Sequence, residues 1–240
     1  SEATRYAVSY YKGEKQSVTD WSCIPEAVLM DATVLKFLPD YQRKVTMLDA
    51  LCHALESFWS VNSTAESKSY AKQAIQKILL NKDAYLRNEE AGNAEMLEAA
   101  YIAGKAINIT QTTAGHAMAY KLTSLYGIAH GHAVALCVSR LWIYMIANVE
   151  KCSDSRGVDY LKSVFGKLAG LMKCDAALDA AEMFADLLCK LDLTLPTVKG
   201  NDYMILKKSV NPVRLKNNPI SLDEDTIDEL YHQILEKCGN

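Results

Sequence analysis

Of the five histidines in this 240-residue chain, His116, His130 and His132 fall within seventeen positions, in the stretch AGHAMAYKLTSLYGIAHGHAVAL. Their neighbours are small, apolar or hydroxyl-bearing, a setting with little reason to concentrate imidazoles. Upstream, DALCHALES places Asp49 and His53 four residues apart in a helical pattern. Both side chains therefore leave one helix face, one turn apart. A carboxylate and an imidazole so placed can share a cation, although such a pair also arises as a plain surface contact. His116 lies among Ala114, Gly115, Ala117 and Ala119, which lets a neighbouring helix come close. His130 follows fourteen residues later, between Gly127 and Gly131, where a new helix begins.

Together, Asp49, His53, His116 and His130 read as an Asp-His-His-His set for one divalent metal. Three imidazoles and one carboxylate, without thiolate, suit Fe(II), Zn(II), Mn(II) or Ni(II). Such a set leaves a position for a substrate oxygen, the arrangement of a Lewis acid that polarises a carbonyl or lowers an alcohol's pKa.

The elements that must position these residues are mainly helical. Met47, Leu48, Leu51, Leu55 and Phe58 recur at three- and four-residue intervals after Pro39 and Asp40, the start signals of a helix. The next helix opens at Ser63 or Thr64, and another after Gly92 with Asn93 as its cap. Further helical stretches cover roughly 133–151, 156–172, 175–191, 199–209 and 222–238, the last opened by Ser221 and Glu224 at capping-box spacing. Residues 4–34 differ. Tyr6–Tyr11 and Lys15–Thr19 are β-prone runs around Lys12-Gly13-Glu14, a hairpin pattern, and EAVLMDA reads as a third strand ending near Asp31. The expected fold is thus mainly α, a helical domain with a short β-hairpin and strand at its opening.

Composition narrows the function classes. A net charge of −3 argues against a nucleic-acid partner, which would call for a basic face. No apolar run approaches the roughly 20 residues that cross a bilayer. Seven cysteines, odd in number and without CxxC spacing, read as free thiols of a cytoplasmic protein, most of them small core residues.

DALCHALES, AGHAMAY and GIAHGHAVAL together resemble the metal-binding half of the iron-containing (group III) alcohol dehydrogenases, in the dehydroquinate-synthase-like superfamily. SEATRYAV resembles the end of that family's Gly-rich GTGSE segment, and NNPISLDEDTIDELYHQIL its C-terminal loop and last helix, so the likeness spans nearly the whole chain. The resemblance implies that Asp49, His53, His116 and His130 hold one metal, Fe(II) first and Zn(II) as the alternative. That metal binds an alcohol or aldehyde oxygen while NAD(P)H exchanges hydride with the adjacent carbon. It also implies a homodimer or larger assembly. In this family the nucleotide lies mainly on a preceding α/β domain with a Gly-rich loop. The eleven glycines here are dispersed and match neither GxGxxG nor GGGS. Residues 1–34 are therefore expected to continue from a nucleotide-binding domain, and 35–240 to form the helical metal- and substrate-binding domain, inactive by itself.

One departure concerns Tyr120. Many members carry a further histidine four residues after the position matching His116, near the nicotinamide, and Tyr120 stands there instead. Its hydroxyl can relay a proton or hydrogen-bond substrate, or the residue simply packs. The chain most resembles a subgroup of phosphonoacetaldehyde reductases, which make 2-hydroxyethylphosphonate. For so anionic a substrate Lys121 and Arg214 are the candidate binding residues, with Lys216 and Arg5 as further cations, unless these are solvated surface charges. The competing readings are a dehydroquinate-synthase-like lyase or zinc polyol dehydrogenase domain, and a non-catalytic helical interaction domain.

Overall fold

The apolar stripe from Met47 to Phe58 becomes a buried helix face of the computed structural model, which describes residues 2–11 and 14–236. Two strands pair antiparallel, β1 (Tyr6–Tyr11) with β2 (Glu14–Thr19), Tyr6 opposite Thr19. Among the described residues ten α-helices follow: α1 (Asp40–Trp59), α2 (Ala65–Leu86), α3 (Glu90–Thr110), α4 (Ala114–Tyr126), α5 (His130–Ala147), α6 (Val158–Leu171), α7 (Ala177–Lys190), α8 (Asp202–Ser209), α9 (Pro212–Leu215) and α10 (Glu224–Leu235). None of the described helices is long and apolar enough to cross a membrane.

Two helices organise the rest. α1 packs on α2, α3 and α5, and α5 packs in turn on α1, α4, α7 and α10. α5 carries apolar residues nearly all round (Val134, Leu136, Val138, Leu141, Trp142 and Met145 are buried), as a helix enclosed by neighbours must. Trp142 meets Trp59 of α1 on one side and Phe184 of α7 on the other, at ring-centroid separations of 5.5 and 6.4 Å.

Local rules set the ends. Thr64 caps α2 in a reciprocal pair with Ser67. α4 stops at Gly127, whose φ of 67° is the left-handed conformation that favours glycine at a helix end. Three residues later α5 opens at His130, so the turn that ends one helix delivers a histidine to the start of the next.

Several local expectations need correction. EAVLMDA is not a strand: it has no ladder partner among the described residues, and Leu29 is 95% exposed. β-prone composition alone cannot supply the paired backbone groups that a strand requires. α3 starts at Glu90 and not after Gly92. Gly92 lies inside it because a Cβ there would come within 2.4 Å of the Tyr85 backbone nitrogen, where α2 and α3 nearly touch. Asn93 is no cap but a buried bridge, accepting from Arg43 at 2.6 Å and donating to Asn88 at 2.9 Å. α5 begins at His130, ahead of the expected 133, and a separate 3-10 turn covers Val149–Lys151. α10 is capped by Asp223, which accepts from the Thr226 amide, and not by Ser221. Lys12 and Gly13 of the expected hairpin turn, and residues 237 and 238 of the expected last helix, lie outside the described residues.

The α1 and α5 backbones come close at Gly131. A Cβ there would lie 2.0 Å from the Val45 carbonyl oxygen and 2.8 Å from the Asp49 Cβ. Gly131→Ala is therefore expected to cost about 1–3 kcal/mol through forced separation of the two helices. A urea-unfolding midpoint that falls accordingly, at constant slope, is the expected result, and an unchanged midpoint would show that the contact is not tight.

Candidate metal centre

Three helices deliver the candidate ligands. α1 presents Asp49 and His53 one turn apart, α4 presents His116 in its first turn, and α5 opens on His130. Asp49, His116 and His130 each offer one ligand atom, all within 4.8 Å of one another. The Asp49 Oδ1 and His116 Nε2 atoms are 3.7 Å apart, and both are buried without a hydrogen-bond partner among the described residues. Buried polar atoms are nearly always satisfied, so two orphans facing each other across a gap are what a cation-binding position looks like without its cation. The oxygen and nitrogen donors fit a borderline or hard divalent metal.

His53 flanks this trio. Its Nδ1 is 3.9 Å from Asp49 Oδ2, and its ring stacks on His116 with centroids 4.5 Å apart and planes 16° from parallel. The structure thus brings His53 beside the cluster without placing its ligand atom in the group of three. His132 points elsewhere: its Nδ1 is 3.2 Å from the Tyr41 hydroxyl, and that hydroxyl also accepts the Ala129 amide.

Behind His116 stands Glu56, with no exposed surface. One carboxylate oxygen meets the His116 Nδ1. The other accepts from the Thr113 hydroxyl at 2.7 Å and the His116 amide at 3.3 Å, while Thr113 accepts from the Trp59 indole at 3.1 Å.

Burial and charge act against each other here. Burial would raise the Asp49 carboxyl, but His53, His116 and His130 together hold it well below the usual carboxylate range. Burial would lower His116, but Glu56 and Asp49 outweigh it and push the imidazole up to about 9. Burial lowers His53 to about 4 despite Asp49, leaving a neutral ring with a lone pair. Cys52 and Cys137 are buried beside this charge, and both burial and the Glu56 carboxylate push their thiols up.

On the other side of His130, Tyr120 stacks with centroids 5.3 Å apart and planes 19° from parallel. Arg214 donates to the Tyr120 hydroxyl at 2.6 Å, and its guanidinium carbon lies 4.8 Å from the ring centroid. Burial raises the Tyr120 pKa in spite of Arg214, so the residue stays a phenol. Lys121 is half-buried, and its amino group has no hydrogen bond or ion pair among the described residues. Lys216 is exposed. Arg5 is occupied away from the centre, donating to the Tyr6 hydroxyl at 3.2 Å with its guanidinium 4.7 Å from the Trp21 ring.

A family model described as "Fe-containing alcohol dehydrogenase family, C-terminal" matches residues 44–235. The chain belongs to this family. Among characterised proteins it is similar to the phosphonoacetaldehyde reductase of Streptomyces viridochromogenes, 29% identical over 248 residues that cover 100% of this chain and 62% of the relative. It also resembles the 1,3-propanediol dehydrogenase of Klebsiella pneumoniae (29%, covering 97% and 62%) and the sulfoacetaldehyde reductase of Bilophila wadsworthia (30%, covering 90% and 57%). The chain thus spans about three fifths of the length of these curated relatives. In fold it matches an iron-containing alcohol dehydrogenase of Thermococcus thioreducens, with a TM-score of 0.85 at 19% identity over 97% of this chain and 60% of that one. The NAD+ complex of the sulfoacetaldehyde reductase of Bifidobacterium kashiwanohense gives a TM-score of 0.82 at 24% identity over 98% and 62%.

One residue of this iron-type dehydrogenase domain escaped the sequence reading. Glu56 sits seven positions after Asp49 and three after His53, on the same helical stripe. A carboxylate inside HALESFW, at helical spacing from Asp49 and His53, was the available signal.

Replacing Asp49 by Asn in the full-length protein removes the only carboxylate of the three-residue cluster. Zn(II) affinity measured by calorimetry should fall by more than about 100-fold, beyond the roughly 10–100-fold typical of groups that merely hold a ligand in place. Unchanged affinity would move the metal elsewhere.

Proposed function

We propose that this chain is the metal- and substrate-binding part, residues 35–240, of an NAD(P)-dependent alcohol dehydrogenase that reduces a small anionic aldehyde. The observation that carries the reading is the convergence of Asp49, His116 and His130 with the two orphaned buried atoms, Asp49 Oδ1 and His116 Nε2. In this reading His53 completes the ligand set by a rotation about its side-chain bonds. When bound, a divalent metal, Fe(II) or Zn(II), supplies Lewis-acid polarisation of the substrate carbonyl.

The remaining work falls to side chains. Tyr120, kept protonated and stacked on His130, hydrogen-bonds the substrate oxygen or passes a proton to it. Arg214, held over Tyr120, offers a planar fork to a phosphonate or sulfonate head group. Lys121 adds a second cation. The names of the similar phosphonoacetaldehyde and sulfoacetaldehyde reductases support an anionic substrate. The nicotinamide cofactor is assigned to a preceding nucleotide-binding domain, with residues 1–34 leading out of it, because the chain itself has no Gly-rich phosphate loop. A cytoplasmic location is part of the same reading, supported by cysteines scattered without paired spacing.

The test is turnover of the full-length protein with Fe(II) or Zn(II), following NADH or NADPH oxidation with phosphonoacetaldehyde, sulfoacetaldehyde and uncharged 3-hydroxypropanal. Preference for an anionic aldehyde is expected. Arg214→Met should raise KM for the anionic substrates by about 10–100-fold, the loss of one charge-assisted hydrogen bond, and leave the neutral one nearly unchanged. Equal effects on both, or a preference for the neutral aldehyde, would assign the site to an uncharged substrate.

A further inference from the structure

Glu56 is withdrawn from solvent completely in the last turn of α1, a costly place for a carboxylate unless positive charge and hydrogen bonds surround it. We propose that Glu56 is a positioning residue of the metal centre: it takes the Nδ1–H of His116 and so fixes the tautomer and ring angle that aim the Nε2 lone pair between Asp49 and His130. This inference rests on the metal reading above and assigns a role to a residue outside the expected ligand set.

Three observations carry it. The Glu56 Oε2 meets the Nδ1 of His116, which leaves only Nε2 to face the orphaned Asp49 Oδ1. Second, Glu56 cannot swing. Its Oε1 is held by the Thr113 hydroxyl at 2.7 Å and the His116 amide at 3.3 Å, and Thr113 is itself fixed by the Trp59 indole. Third, the backbone makes room for this carboxylate: a Cβ at Gly115 would lie 2.7 Å from the Glu56 Oε1 and 2.5 Å from Val138 Cγ2. Any side chain at 115 would push the carboxylate or α5 away. The short segment Thr113–His116 thus supplies a hydroxyl, a gap, an amide and the imidazole itself to one anion.

A carboxylate behind a ligating imidazole orients the ring and raises its basicity. Glu56→Gln keeps the shape but removes the charge and presents an amide that can donate to Nδ1, favouring the opposite tautomer. In the full-length protein this variant should bind Zn(II) about 10–100-fold more weakly by calorimetry. The visible spectrum of its Co(II) form should shift, and its circular dichroism and urea midpoint should stay near those of the unaltered protein. Thr113→Val, which frees Glu56 without altering charge, should weaken Zn(II) binding by a smaller factor. Zn(II) affinity within about twofold of the unaltered protein, with an unshifted Co(II) spectrum, would overturn the proposal even if activity or stability fell. Should Glu56→Gln not fold, Thr113→Val decides in the same way: weaker binding supports the role and unchanged binding refutes it. Failure of the unaltered protein to bind any divalent metal would instead refute the metal reading itself, and this inference with it.

Discussion

The site depends on how closely three helix backbones can approach one another. Asp49, His116 and His130 reside on α1, α4 and α5, so their mutual distances are set by interhelical packing and not by any local turn. Two glycines set that packing. Gly131 lets α5 rest against the Val45 carbonyl of α1, and Gly115 lets α4 close on Glu56 and Val138. A methyl group at either position would widen the gap between ligands whose useful spacing is fixed to within a fraction of an ångström. The aromatic contacts of Trp59, Trp142 and Phe184 hold α1, α5 and α7 in that register from the far side. The centre is thus positioned by rigid elements, with its precision built into the core.

Around this frame runs a continuous line of ring contacts. His53 stacks on His116, His116 meets His130 edge-on, Tyr120 stacks on His130, and the Arg214 guanidinium lies over Tyr120. Each plane limits the tilt of the next. The line passes from His53 through His116 and His130 to the Arg214 guanidinium, joining the candidate metal cluster to the residues proposed to bind substrate. Tyr120 is the joint. A histidine in its place would offer Arg214 no phenolic oxygen to bind, so the tyrosine and the arginine make sense as a pair.

Much of this arrangement could be read from the chain before any coordinates. The helical periodicity of 47–58, the Asp49/His53 spacing, and the glycines around His130 each leave a local mark, and local marks are what sequence patterns record. What escaped depends on distant partners. EAVLMDA has strand composition but no ladder partner among the described residues. Asn93 looked like a cap because caps are asparagines, yet its amide is taken up by Arg43, fifty positions upstream. Glu56 escaped because its meaning lies in Thr113 and His116, at the start of another helix. Gly131 marked a helix start, while its tighter duty is toward Val45. Burial of a charge and closeness of backbones are tertiary facts, and neither has a local period.

The thiols of Cys52 and Cys137 gain a different significance from the carboxylate beside them. Both are fully covered, and the negative charge of Glu56 adds to burial in keeping each sulfur protonated. A protonated thiol is a poor ligand and a slow reductant, because the thiolate is the reactive form. The field that readies one imidazole therefore also quiets two sulfurs a short way off. Burial first, and the Glu56 carboxylate second, thus keep both sulfurs out of the thiolate form that would compete as a ligand or react with an oxidant.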